Sequence, residues 1–360
     1  MKFLKPLIAA VFFVALSGGA LAEIKLIKQQ ATGYDNAAMK FVSDDGRAYW
    51  VSLKLERPTP ETRSFFLYLE DFFDGSSPRR VVLDSGAPLF MAAGSQHGLL
   101  AITKGYENMV WIAIKLNKAL TKVEKHGEIK SMVAVGPIAK IGDKYYIVGI
   151  DKKNRQALLR MNADLRIERE RITADPKTEG AMGSPFVAAG KLHAMVGFMD
   201  RSEIWEITPD FAPLKKIKPS GTAFSSITLK DGGFAVLSQD LQTLDYFVER
   251  FNTSGQSIWR KKIYTLAKTG AGTPPVLCEL PDGLCLVGGT NNRLLVARIS
   301  ADGQRVRITE DTRSGLSVPL NAMAGYLVGV LGNNIHVRGI AQKSGDDRYT
   351  SFHFVETPTP

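Results

Sequence analysis

Between Ala223 and Ile308 the chain writes one pattern twice. The first copy holds apolar runs at Ser226–Leu229, Phe234–Leu237 and Tyr246–Phe251, then a strand-like Ser257–Ile263. The second holds Val276–Leu280, Leu284–Gly288, Leu294–Ile299 and Arg305–Ile308. Asp231-Gly232-Gly233 and Pro281-Asp282-Gly283 are the first turns of the two copies. Short runs bounded by Gly, Pro, Asn and Asp read as four antiparallel strands per copy. One such sheet cannot bury its faces alone, so it has to stack on others like it.

The rhythm runs beyond these two copies. Leu69, Leu116, Met161, Ile207, Phe251 and Ile299 each end an apolar run and precede a polar turn, at spacings of 47, 45, 46, 44 and 48 residues. A Pro followed by an apolar residue recurs with the same period: Pro88-Leu89, Pro137-Ile138, Pro185-Phe186, Pro275-Val276 and Pro319-Leu320. Proline suits the first residue of a strand, where its missing donor does least harm. Helix patterns are poor throughout. Val110-Trp111-Ile112-Ala113-Ile114, the best helix candidate by position, is β-branched and aromatic and reads as a strand. The class is all-β.

A period of 40 to 50 residues with four short strands per unit fits the blade of a β-propeller. Seven blades account for the length, at 37–84, 85–131, 132–178, 179–218, 219–268, 269–313 and 314–357. Six or eight blades, or a pair of β-sandwiches, are the alternatives. Residues 23–360 then form one domain. Glu23–Gln30 reads as an extra strand, placed to pair with Tyr349–Val355 and close the ring. An unclosed ring would expose two sheet edges.

One blade carries a sharper likeness. Asn252, Gly255 and Trp259 resemble the Asp, Thr-Gly and Trp turn of quinoprotein-like repeats. In those repeats the Gly makes the turn and the Trp docks on the next blade. Here Asn252 replaces the Asp and Ser254 the Thr, and the other blades have Leu120, Ile167, Leu214 and Val306 in the matching region. The likeness implies a docking Trp and no quinone cofactor.

Residues 1–22 read as a cleavable export signal. Lys2 and Lys5 precede the apolar Leu7–Leu16, and Ala20-Leu21-Ala22 has the small-x-small form of a cleavage site. The apolar run is short for a membrane span, and no later stretch approaches one. The expected location is periplasmic or secreted, without a transmembrane segment in the mature chain.

Export permits a disulfide between Cys278 and Cys285. Register decides it. A three-residue loop at Pro281-Asp282-Gly283 points the two sulfurs to opposite faces, whereas pairing Glu279 with Leu284 sets Cys278 across from Cys285. Two small buried apolar residues are the other reading.

No catalytic constellation emerges. His97, His126, His193, His336 and His353 are scattered, there is no Asp-rich calcium loop, and Gly183-Ser184-Pro185 is not a nucleophile elbow. No metal site, cofactor or catalytic residue is expected. Topology does point to a face. In an up-and-down blade the first and third turns share one end of the disc, and the second loops and interblade connections share the other. Ligands are expected at the latter, where loops converge on a rigid scaffold. Its candidate residues are Lys104, Glu107, Asp151, Lys153, Arg155, Asp200, Arg201, Glu203, Asp240, Asn292 and Arg293.

The net charge is +10. The basic clusters Arg79-Arg80, Arg166–Arg171, Lys215–Lys218 and Arg260–Lys262 suit an anionic partner or protect edge strands from aggregation. Nucleic acid is a poor partner for an exported protein. The expected role is binding of an envelope protein or anionic polysaccharide. A glycan- or ester-directed hydrolase or lyase at the channel mouth is the alternative.

Overall fold

The computed structural model describes residues 23–32, 38–43, 46–56, 64–76, 79–83, 89–96, 98–104, 110–172, 181–198, 201–265, 275–290, 293–311, 323–342 and 349–358. They form 28 strands in seven four-stranded sheets. Blade 1 is β2 (Ala38–Val42), β3 (Ala48–Glu56), β4 (Ser64–Asp71) and β5 (Arg79–Leu83). Blade 2 is β6 (Leu89–Gln96), β7 (Leu99–Lys104), β8 (Val110–Leu116) and β9 (Val123–Ile129). Blade 3 is β10 (Met132–Ile141), β11 (Lys144–Asp151), β12 (Gln156–Met161) and β13 (Ile167–Ile172). Blade 4 is β14 (Ala181–Ala188), β15 (Lys191–Gly197), β16 (Ser202–Ile207) and β17 (Pro213–Ile217). Blade 5 is β18 (Thr222–Thr228), β19 (Phe234–Gln239), β20 (Asp245–Phe251) and β21 (Ser257–Thr265). Blade 6 is β22 (Val276–Leu280), β23 (Gly283–Thr290), β24 (Arg293–Ser300) and β25 (Val306–Asp311). Blade 7 is β26 (Met323–Leu331), β27 (Asn334–Gln342) and β28 (Tyr349–Thr357), with β1 (Glu23–Thr32) as its fourth strand.

The first strands approach one another in chain order around an axis, and β2 meets β26. This is a seven-bladed β-propeller. The N-terminal strand closes it as expected, Glu23 lying opposite Thr357 and Thr32 opposite Tyr349 in an antiparallel pair. The sequence markers were third-strand ends: β8, β12 and β20 end at Leu116, Met161 and Phe251. The proline marker needs correction. Pro137 and Pro185 do not open their strands but sit at bulges inside β10 and β14, where the ladder is already broken and no donor is missed.

Second and third strands carry the core, because both of their faces meet a neighbouring blade. All six positions of β19 are buried, whereas β13 has none. The clusters bridge adjacent blades, as where Tyr146 and Leu158 of blade 3 pack with Ala194, Trp205 and Phe211 of blade 4.

The third-to-fourth turns repeat one geometry. Leu120, Leu165, Phe211, Gly255 and Gly303 each have positive φ, between 56° and 75°. Asn117, Asn162, Thr208, Asn252 and Ser300 open these turns and cap them with side-chain oxygens. A left-handed backbone costs a residue with a Cβ roughly 1–2 kcal/mol. Leu120, Leu165 and Phe211 accept that cost because their side chains are buried, and burying a large apolar side chain contributes about 1.5–3 kcal/mol. Blades 5 and 6 use glycine instead, and the preceding blade fills the gap. A Cβ on Gly303 would lie 2.6 Å from the Trp259 ring, and one on Gly255 would collide with Ile217. Trp259 Nε1 also donates to Ala301 O at 2.9 Å. The docking Trp implied by the quinoprotein-like likeness is therefore present. In blade 4 its counterpart is Ile217 and not Leu214, which points to solvent at 65% exposure.

Cations staple every junction. Arg79 donates to Ala119 O, Lys125 to Ala163 O, Arg160 to Pro209 O, Lys215 to Ser254 O, Arg250 to Ala301 O, Arg298 to Asn333 O and Arg338 to Asp71 O. Five of these acceptors lie in third-to-fourth turns, and Asp71 ends the third strand of blade 1. Blade 7 has no such turn, since its fourth strand is β1, and Arg298 reaches its first turn and the buried Glu356 instead. Part of the basic surplus is thus structural.

The cysteine register is also settled. Cys278 lies opposite Cys285, Glu279 opposite Leu284 and Leu280 opposite Gly283, so the loop is only Pro281-Asp282. The Cα atoms are 5.0 Å apart and the disulfide is formed.

Candidate functional site

The loop end places the expected residues in local networks. Asp151 accepts the N–H groups of Lys153 and Arg155 at 2.9 and 2.7 Å and pairs with the Arg155 guanidinium. Burial pushes its pKa up, but these donors outweigh burial and hold it below the ordinary carboxylate value. Asp240 caps its own loop through the N–H groups of Gln242 and Thr243. Lys153 is exposed. Lys104 ends β7 and Arg293 opens β24. Glu107, Asp200 and Asn292 lie outside the described residues.

Arg201 and Glu203 meet. Arg201 Nε donates to Glu203 at 3.0 Å, Trp205 Nε1 donates to the other carboxylate oxygen at 2.7 Å, and the Arg201 guanidinium lies 4.0 Å from the Phe198 ring centroid. Burial opposes the charge on Glu203, yet these donors leave its pKa lowered. Glu203 is almost fully buried, whereas the Arg201 side chain is 46% exposed. This loop abuts the next blade through Ser202 Oγ, which accepts the Ala223 N–H at 3.1 Å. The bulge in β18 follows Ala223, and Phe224 there is 40% exposed. Phe224 lies 6.2 Å from the Tyr246 ring, and Leu241 is exposed on the same end. Phe198 and Phe224 were not among the expected residues. Their one signal in the sequence is an aromatic at the loop end of a strand, which alone does not separate a surface from a core.

The carboxylates here are committed to neighbours. Asp245 pairs with Lys262 and accepts the Thr265 hydroxyl, and Glu249 accepts the Ser220 N–H. Among the described residues no group of three or more His, Cys, Asp or Glu could hold a metal ion.

A second site lies at the opposite end. The turn-end half of the central channel holds an open cavity of about 670 Å³, lined by parts of β10, β14, β18, β22 and β26. The loops play no part in its described wall.

No family model and no curated protein sequence matches the chain. Solved structures do. The WD40 domain of Toxoplasma gondii coronin aligns with a TM-score of 0.53 at 9% identity, over 94% of this chain and 87% of that one. The polysaccharide lyase Uly1 aligns with a TM-score of 0.53 at 8% identity, over 92% and 99%. A prolyl endopeptidase aligns with a TM-score of 0.54 at 12% identity, over 91% of this chain. The chain spans about half of that endopeptidase, 50% of its length. At these identities the likeness shows the propeller fold alone. No helix among the described residues is long and apolar enough to cross a membrane.

Proposed function

We propose that the protein is an exported propeller that binds an envelope protein or an anionic polysaccharide through its loop end. The observation that carries this reading is Arg201, half exposed yet fixed in place by Glu203 and Phe198. A cation already held in position loses little entropy when it takes an anionic group. Phe224 and Leu241 add exposed apolar surface, and Lys152, Lys153 and Lys218 add exposed positive charge on the same end. A broad patch of this kind suits binding better than turnover, because the carboxylates beside it are already hydrogen-bonded. Among proteins of this fold, Uly1 is a polysaccharide lyase, which is compatible with a glycan partner. Export rests on the basic, apolar and small-residue order of residues 1–22.

The test uses residues 23–360 in a pull-down from envelope extract and in titration with polygalacturonate. One stoichiometric partner, or salt-sensitive glycan binding, is expected, with R201A and F224A weakening it together. Capture of neither, with turnover of a glycan panel, overturns the reading in favour of a hydrolase or lyase. N-terminal sequencing of protein recovered from the periplasm should begin at Glu23.

A further inference from the structure

The turn-end cavity differs in charge from the rest of the molecule. Glu279 is the only charged side chain among its described lining residues. Three other acids at this end are matched: Asp231 by Arg250, Glu356 by Arg298 and Glu70 by Arg338. Glu279 has no cationic partner among the described residues. Its Oε1 accepts the backbone N–H of Lys230 at 2.9 Å, which fixes the carboxylate against the first turn of blade 5. It also follows Cys278, tied to Cys285, and precedes the two-residue Pro281-Asp282 turn. An acid this constrained is preorganised for a donor.

The remaining polar groups of the wall point to what that donor is attached to. Ser226 Oγ is shielded from solvent and makes no hydrogen bond. Each first strand is hydrogen-bonded only to its second strand, so its other backbone edge faces the channel. One such edge carbonyl, Val187 O, already takes the Thr228 hydroxyl from the neighbouring blade. Unpaired strand edges recognise extended peptide backbone. A volume of about 670 Å³ lies in the range of ligand sites.

We infer that the turn-end cavity binds a basic peptide segment, its ammonium or guanidinium on Glu279 and its extended backbone against the free edges of β18 and β22. This site is independent of the loop-end patch and opposite to it in charge preference.

The probe is a fluorescently labelled, N-acetylated and C-amidated alanine peptide with one central lysine. The control peptide carries glutamate in its place. Anisotropy titration should show saturable binding of the lysine peptide, at least tenfold tighter than the control. E279Q keeps the acceptor for Lys230 N–H and should retain the wild-type melting temperature while losing about tenfold in affinity. Amide exchange in β18 and β22 should slow when the peptide binds. R201A should leave all of this unchanged, so failure here and failure of the loop-end reading are separable. Equal affinity for both peptides, no effect of E279Q, or no saturable binding at millimolar peptide would overturn the inference.

Discussion

His336 and His353 face each other inside the closing blade, Nδ1 of one ring 3.0 Å from Nε2 of the other. One nitrogen donates and the other accepts, so the accepting ring must be neutral and the two rings cannot both be charged while the bond lasts. The second nitrogen of His336 is buried without a partner, and the Phe73 ring of blade 1 packs edge-on against it. Arg338 and Lys28 oppose a positive charge here, while Asp71 is too small an influence to offset burial.

Acid should therefore weaken the closed ring. Burial lowers the pKa of His336, and burial with Arg338 lowers that of His353 to about 3. The unfolded chain titrates near 6.5, so it binds more protons than the folded one below that pH. Stability is full above about 6.5 and falls as pH drops toward the folded values, by up to about 1.4 kcal/mol per pH unit for each ring. Unfolding free energies from urea titrations at pH 7.5 and 5.0 should differ by roughly 2 kcal/mol or more. H336N or H353N should flatten the slope without abolishing it, since the buried His193 titrates with the same sign. An unchanged slope in both variants would show that the pair stays neutral for no energetic reason.

Arg338 joins the last blade to the first. It donates to Glu70 at 2.9 Å and to Asp71 O, and it lies 4.9 Å from the Trp50 ring. Removing one member of a buried charge pair costs about 3–5 kcal/mol. R338M should lower stability by an amount at the bottom of that range, because Glu70 keeps partial access to water. Differential scanning calorimetry should show an earlier transition, and R338K should recover little of it, since lysine cannot serve the fork of acceptors.

Trp259 and Gly303 should be coupled. Trp259→Ala removes a half-buried indole and its bond to Ala301, at a cost of about 2–3 kcal/mol. Gly303→Ala forces a left-handed φ and a clash with that same ring. In the double variant the clash disappears, so a double-mutant cycle in denaturant should read less than the sum. Phe211→Gly tests the opposite solution: relief of roughly 1–2 kcal/mol of strain against loss of a fully buried ring worth about 3–5 kcal/mol predicts net destabilisation.

The disulfide should be detected chemically before it is measured energetically. Free thiols should be absent in the unfolded oxidised protein and number two after reduction. Loop closure over so short a span contributes about 2–3 kcal/mol in the chain-entropy estimate. C278A/C285A should melt earlier by a corresponding margin, and E279Q should not.

The blade count was legible because the third strands of blades 1 to 6 carry an apolar residue at or within two residues of their ends, before a polar turn, a local rule that repeats with the period of the fold. The docking Trp259 was legible for the same reason. Junction staples were not, since Arg160 and Pro209 are 49 residues apart and nothing local marks the carbonyl as an acceptor. The histidines looked scattered because His336 and His353 meet only when β27 pairs with β28. The loop-end residues were named by topology, and the structure adds what composition could not give: Asp151 and Glu203 hold their loops together, while Phe198 and Phe224 supply surface. The channel cavity left no trace in the pattern, because Ser225, Ser226 and Glu279 read as ordinary strand residues until seven edges converge.

The pairing of β1 with β28 has a consequence for biogenesis. Glu23 is made well before Thr357, so β1 waits through the synthesis of six whole blades for its partner. Blades 1 to 6 can stack in turn as they appear, but the seventh stays one strand short until β1 and β28 meet. Quality control during that interval would see an open disc with a naked edge. Moving the chain ends into an interblade loop would trade the late clasp for an early one.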